Sequence, residues 1–267
     1  MVSPLARAAL VGGAVSAAVG GVVAADRWRR TWGIDPAEAD LPLAGDDLVP
    51  QPLAVETRGI TIAAPPERVW PWLLQMGFGR GGWYSYDQLD MKGRSAGTIV
   101  PEWQSLAVGD IVPTDPGGGF EVRAIEPERA LVLYADAALM ARRGTAPGTT
   151  LRTAEAPGLA ASGRFLETAT PPDFRTSWSF ALRPLDGGRT RFIERFRLHA
   201  GSRTASSRLF APIMGFGVFL MMRKQMLGIR ERAERLVNEA PGETWIVTPA
   251  SNGTRPAAVA ETGAPVG

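Results

Sequence analysis

The 267-residue chain has no cysteine and a single histidine, His199. The first absence excludes thiol catalysis, disulfide bonds and cysteine-rich zinc sites, and it leaves the redox compartment unread. The second argues against a histidine-based metal cluster and against a histidine-bearing catalytic triad. Charge of one sign is not in excess either. Lys and Arg number 29 against 27 Asp and Glu, a formal net charge of +2 with a pI near 9.4. The arginines are scattered rather than striped, so nucleic acid is not an expected partner. What the chain does have is 45% apolar residues, 31 glycines and 22 prolines. That composition supports a packed core interrupted by long irregular stretches. The length fits one domain with extra segments, or two small ones.

Residues 8–25, "AALVGGAVSAAVGGVVAA", form eighteen positions without a charge. This is the short end of what crosses a bilayer. Its Gly and Ala content suits a close helix pair while weakening the hydrophobic drive. Arg27, Arg29 and Arg30 follow directly. The positive-inside rule then places the body in the cytoplasm, against the pull of Arg7 and the amino terminus. A cleaved signal peptide ending near "VVAAD" is the rival reading, with the arginine cluster a poor start for a mature chain. The expected organisation is a transmembrane or signal-anchor helix at 5–27, a proline-rich acidic linker at 28–54, a folded domain at 55–240 and a disordered tail at 241–267.

Within the domain, "VETRGITI" alternates as a strand and "APPERVWPWLLQM" reads as a turn followed by a helix. Pro66 opens that helix, Glu67 sits in its first turn, and Pro71 is an internal blemish. Strands are expected at 106–114, 119–127 and 129–135, the last two joined by a turn at 126–129. Residues 136–161 read as a loop insertion. "GRFLET", "FRTSWSFALRPL" and "GRTRFIERFRLHA" follow, and the "DGG" between the last two is a strong hairpin signal. Residues 206–240 read as a long helix, apolar in its first half and basic and amphipathic in its second. Strand, helix, several antiparallel strands and a long closing helix make an α+β domain, because a sheet must bury one face and a long helix across it does so.

These residues resemble the START-like, or helix-grip, superfamily, whose members include polyketide cyclases and dehydratases, aromatases and lipid-transfer proteins. "ITIAAPPERVWPWLLQMG" is similar to the superfamily's first strand and helix, "WSFALRPLDGGRTRFIERFRL" to its last two strands, and "RKQMLGIRERAERL" to the end of its closing helix. More narrowly, "VWPWLLQMGFGRGGWYSYDQLD" with "IVPEWQSLAVGDIV" is similar to an actinobacterial subgroup of unsettled role. The resemblance spans roughly residues 55 to 240. It implies a helix-grip fold, a curved antiparallel sheet around a long C-terminal helix. It implies no catalytic residue, because the fold hosts binding proteins, cyclases, hydrolases and transporters alike.

"GFGRGGWYSYD", residues 77–87, places Gly77, Gly79 and Gly82 in the spacing of a dinucleotide loop. Such a loop needs a strand before the glycines and a helix after them. Here a helix precedes and aromatics follow, so no nucleotide cofactor is expected. The glycines instead permit a sharp turn that presents Trp83, Tyr84 and Tyr86 near a cavity mouth, with Arg80 and Asp87 available to fix a polar group. The plain structural reading is that the rings pack the sheet edge, Asp87 caps a turn and Arg80 is solvated or paired. Glu102 and Trp103 flank the same entrance or close a loop over the core. In the final strands the period of two sets Phe192, Glu194, Phe196 and Leu198 on one face, opposite Ile193, Arg195, Arg197 and His199. Trp178 shares an inward face with Phe174, Thr176, Phe180 and Leu182. Glu194 among these apolar residues must be paired or neutral, since a bare buried charge is costly. It touches a ligand or an inward cation, or it serves structure alone.

The expected ligand-binding set is therefore Arg80, Trp83, Tyr84, Tyr86, Asp87, Trp103, Trp178, Phe192 and Glu194, with no metal. The leading functional expectation is a membrane-anchored domain that binds a hydrophobic or amphipathic small molecule or lipid. A cyclase- or dehydratase-like enzyme, with Glu194, Asp87, Glu102 or a tyrosine as acid or base, is the alternative. A partner-binding module with a filled core is the third.

Overall fold

A computed structural model describes residues 4–90, 94–115, 118–141, 173–200 and 205–239. Helix α1 (Pro4–Arg30) leads into a folded segment holding α2 (Pro36–Ala39) and a 3-10 turn (Asp46–Leu48). Strand β1 (Ala54–Ile62), helix α3 (Pro66–Leu74) and a one-turn helix α4 (Asp87–Asp90) follow. Then come β2 (Ile111–Asp115), β3 (Gly118–Glu126), β4 (Ala130–Asp136), the short α5 (Ala137–Ala141), β5 (Arg175–Leu185), β6 (Arg189–His199) and the closing helix α6 (Ala205–Glu239). All six strands pair antiparallel in the order β1-β6-β5-β4-β3-β2. α3 and α6 pack over one face of the sheet, which is the helix-grip arrangement.

Alternation along the strands decides which residues meet the helices. Ile60 and Ile62 of β1, Phe192 of β6, Phe180 and Leu182 of β5 and Leu131 and Leu133 of β4 are buried together with Val69, Trp72 and Leu73 of α3. Met222, Met226, Ile229 and Ala233 of α6, spaced three or four apart, close the layer from above. β5 and β6 turn on Asp186-Gly187-Gly188, where both glycines take positive φ (75° and 66°), as the hairpin signal requires. Residues 106–110 are not strand. Gly109 (φ 93°) and an Asp110 carboxylate that accepts from the Ala107 amide hold them as a turn, so β2 starts only at Ile111.

The stretch expected to be a linker is instead part of the body. The outer face of β6 carries Arg191, Arg195 and Arg197, and burying them demands acceptors. Residues 33–49 provide these. Arg195 donates to the carbonyls of Ala39 (2.7 Å) and Leu41 (2.8 Å), to Asp46 Oδ2 (2.6 Å) and to Thr57 Oγ1 (3.0 Å). Arg191 pairs with Glu38 at 2.6 Å, and Arg197 donates to the Val49 carbonyl. Val49 is fully buried, and Ser177, Ser179 and Ile193 of the outer face are covered. The prolines and acids of this stretch form a strap rather than a tether.

The expected membrane span meets α1, whose helix runs beyond both ends of the 5–27 expectation. Among the described residues no helix is long and apolar enough to cross a membrane. Most side chains of residues 8–19 lie outside the described residues, as do most of the 136–161 insertion, "GRFLET" and the 241–267 tail.

Arg195→Ala should release the strap. Removing a guanidinium that satisfies four acceptors strips Asp46 of its closest cation and leaves the Ala39 and Leu41 carbonyls without it, a cost of about 2–4 kcal/mol. Denaturant unfolding with limited proteolysis checks this. The variant should be less stable and newly cut between residues 36 and 49, while an unchanged cleavage pattern would show the strap is held by other contacts.

Candidate functional site

The glycine-rich loop is built for packing. Gly77 and Gly82 bridge each other, and Gly77 (φ 123°), Gly79 (φ 71°) and Gly82 (φ 85°) all lie where an L side chain is strained. Tyr84 itself has φ 56°, a conformation non-glycine residues seldom adopt. The sharp turn drives two rings inward. Trp83 stacks on Trp178 with centroids 5.3 Å apart and planes within 10°. Tyr84 meets Trp72 edge-on at 5.8 Å and donates its hydroxyl to the Trp72 carbonyl at 3.1 Å. Burial pushes the Tyr84 hydroxyl well above its ordinary pKa, against the opposing pull of Gln75 and of the Arg232 and Arg80 guanidiniums. α6 admits this loop at Gly228, where a Cβ would stand 2.3 Å from the Tyr84 carbonyl oxygen.

The polar members of the expected set also hold the loop. Arg80 donates to the Leu74 carbonyl at the end of α3 (2.9 Å) and to the Trp103 carbonyl (3.0 Å). Asp87 accepts from Ser95 Oγ at 2.5 Å, and that same oxygen accepts the Tyr84 amide. Tyr86 faces outward, 42% exposed. Two clefts touch these residues. One of about 300 Å³ lies between the loop and α6, against Tyr84, Asp87, Lys224 and Arg232. The other, about 330 Å³, lies at the sheet end against Arg80, Glu102 and Trp103. Both are polar and open, so the expected set divides between the rim and the interior instead of converging.

The interior part converges on Glu194. β6 places it on the inner face, opposite Arg58 of β1 on one side and Phe180 of β5 on the other. It is completely buried. Its Oε1 accepts the Trp178 indole N–H at 2.6 Å, and its Oε2 has no hydrogen-bond partner. The obvious partner is committed elsewhere. Arg58 donates Nη2 to Glu56, Nε to the Arg29 carbonyl (3.0 Å) and Nη1 to the Met222 sulfur (2.9 Å). Glu56 is further held by Arg29 at 2.6 Å. Two carboxylates thus share one inner-face guanidinium, and Glu56 has it. Burial raises the Glu194 carboxyl to about 7, against Arg58 and the Trp178 bond that lower it and with Glu56 adding to the rise.

Around Glu194 the space is aromatic. Trp178 touches Trp83, Phe120 (5.4 Å), Phe180 (5.0 Å) and Phe196 (6.1 Å), and Phe192 stacks on Phe180 at 6.3 Å. Trp178 and Phe192 therefore pack on other rings. Two further buried polar atoms in this layer lack partners, Trp72 Nε1 and Gln225 Oε1. Glu56, Arg58 and Gln225 were not expected in the site, and Arg29 was expected only as a charge flanking the N-terminal helix and Trp72 only as part of the apolar face of α3. The period of two in "VETRGITI" carried a signal for the first pair, since Glu56 and Arg58 alternate in phase with Ile60 and Ile62. Chemically the arrangement offers a carboxyl that changes protonation near neutrality inside an apolar layer. Among the described residues no group of acids and histidines is placed to hold a metal ion.

No protein-family model matches the chain, and no curated protein matches it. Solved structures similar to it include protein MLL2253 from Mesorhizobium loti (17% identity, 68% of this chain and 98% of that one, TM-score 0.35). Protein Ms6760 from Mycobacterium smegmatis is similar at 13% identity over 70% of this chain and 93% of that one, TM-score 0.34. The Zhui aromatase/cyclase from Streptomyces sp. R1128 is similar at 13% identity over 71% of this chain and 99% of that one, TM-score 0.30. Likeness at this level carries no argument about activity.

The Glu194 carboxyl makes stability depend on pH with a definite sign. Its folded pKa of about 7 lies above the ordinary carboxyl value of 4.5, so the folded state holds a proton that the unfolded state releases. Stability should fall as pH rises from 4.5 through 7 and level off above, by about 3 kcal/mol at most. Glu194→Gln keeps an acceptor for Trp178 and carries no charge. Denaturant midpoints from pH 5 to 8 should slope downward for the native chain and flatten in the variant; parallel slopes would place the titrating group elsewhere.

Proposed function

We propose that the domain binds a hydrophobic or amphipathic small molecule or lipid between its sheet and its closing helix. In this reading Glu194 meets the ligand's one polar group. The observation that carries it is the unpartnered, fully buried Glu194 Oε2. A buried polar atom without a partner costs roughly 1–3 kcal/mol, and a ligand hydroxyl or protonated head would supply what the protein does not. Apolar burial against Trp178, Phe180 and Phe192 would supply the affinity. Entry requires the Trp83–Trp178 stack to part, so the loop of residues 77–87 acts as the door and its glycines as the hinge. The residues that resemble START-like and lipid-transfer proteins support the same reading.

We further propose that α1 is a single-pass anchor holding the body at the cytoplasmic face of the cell membrane. The eighteen uncharged residues at 8–25 and the arginines after them support this. Release of a membrane-derived ligand into an interior beside the anchor would then need no aqueous transit.

One observation favours a second, catalytic reading of the cyclase or dehydratase kind. A carboxyl raised to about 7 can give and take a proton at neutral pH. The dense rings around Trp178 favour a third, a core filled by its own side chains.

A single experiment separates the three. Purified full-length protein is examined by native mass spectrometry for a co-purifying molecule, then titrated with a long-chain alcohol and the matching alkane while tryptophan fluorescence is read. The binding reading predicts a fluorescence change with both ligands. Glu194→Ala should weaken the alcohol about tenfold and the alkane hardly at all, since one hydrogen bond to a charged or polar partner is worth about 1.4 kcal/mol at that ratio. No bound mass and no response to either ligand would support the filled core. Conversion of an added substrate in place of simple binding would support the enzyme.

A further inference from the structure

We infer that the start of the closing helix α6 is a second membrane contact, lying in the bilayer interface beside α1, so that the domain is seated on the lipid surface. The inference rests on the reading of α1 as an anchor. The two helices meet near their exits from the body. Arg29 of α1 donates to the Gly215 carbonyl at 3.3 Å, and a Cβ at Gly215 would stand 2.7 Å from the Arg29 guanidinium. Trp28 and, just after α1, Trp32 both meet Phe219, at 5.2 and 6.3 Å. The Arg223 guanidinium lies 5.0 Å over the Trp32 ring. Trp28 and Arg29 thus set the C-terminal end of α1 against Phe219 and Gly215, and Trp32, just past it, reaches Phe219 and Arg223.

Each helix changes character along its length. On α1 the exposed Val22 and Val23 give way to exposed Arg27 and Trp28. On α6 the exposed Phe216, Val218 and Leu220 give way to exposed Arg223 and Lys224. Leu220 and Lys224 lie away from Phe219, Met222 and Met226, which enter the core, while the exposed Phe216 ring flanks Phe219 at 5.9 Å. Apolar side chains outward, cations next to the body and a tryptophan at the boundary fit one occupant, an anionic lipid surface. Its acyl region would take the rings and its headgroups the cations. Residues 209–222 carry no charge, but at 1.5 Å per residue they extend only about 21 Å, short of the hydrocarbon thickness. α6 therefore dips and does not cross.

The cysteine-free chain makes the test direct. Full-length protein carrying Phe216→Cys, Leu220→Cys or, as a reference on the far hairpin, Leu185→Cys is spin-labelled and reconstituted into vesicles of mixed neutral and anionic phospholipid. Collision with dissolved oxygen and with a water-soluble nickel chelate is read at each label. Labels at 216 and 220 should favour oxygen several-fold more than the label at 185. Equal chelate access at all three, in protein that does sediment with the vesicles, would overturn the inference while leaving the anchor standing. Protection of 216 and 220 from both reagents would mean a protein partner or a second copy covers the face, and would overturn it as well. Protein that stays in solution would overturn both the inference and the anchor.

Discussion

The inner face of the sheet is organised by a competition for one guanidinium. Arg58 is fully buried and has two carboxylates within its part of the sheet, Glu56 two residues before it and Glu194 directly across on β6. It bonds Glu56, and Arg29 completes that pairing from the end of α1. The charge pair thereby ties the N-terminal helix, the first strand and the closing helix at Met222. Glu194 is left with one indole and an empty oxygen. Breaking a buried ion pair is costly, so the arrangement is fixed by its neighbours even though it leaves a polar atom unsatisfied. That unsatisfied atom is the feature from which a functional reading can start.

β6 gives both faces of the sheet their character. Inward it alternates Phe192, Glu194 and Phe196, outward Arg191, Arg195 and Arg197. The outward arginines need acceptors and draw residues 33–49 onto the sheet, which makes the central strands buried on both sides. A sheet clamped by a strap behind and a helix in front has its freedom confined to the rim. The glycine-rich loop, held by Arg80, Ser95 and the Gly228 notch, is the rim element that carries a ring into the Trp178 cluster.

Much of this was legible in the sequence. Strict alternation in "TRFIERFRL" and "RTSWSF" placed Phe192, Glu194 and Trp178 on the inner face, and "DGG" marked the hairpin, because both signals depend on local geometry alone. The strap was not legible. Proline and acid in residues 31–54 look solvated until the arginines of the last strand are known to be their partners, and that pairing spans about 150 positions. The loop was legible in outline only. Three glycines announce a sharp turn, but nothing local says that Trp83 and Tyr84 go into the core while Tyr86 stays out. Arg58 and Glu56 could have been found from their phase with Ile60 and Ile62, and were hidden by the charge they bring to an otherwise apolar face.

The central claim is that Glu194 holds a free, titratable oxygen that a ligand would occupy. Infrared difference spectroscopy of the full-length protein, with Glu194→Gln to assign the band, reads that carboxyl directly. The account predicts a protonated-carboxyl stretch that titrates near pH 7 and shifts in frequency when a long-chain alcohol is loaded. A band that titrates with the ordinary carboxylates, or one that ignores the alcohol once it is bound, would contradict it.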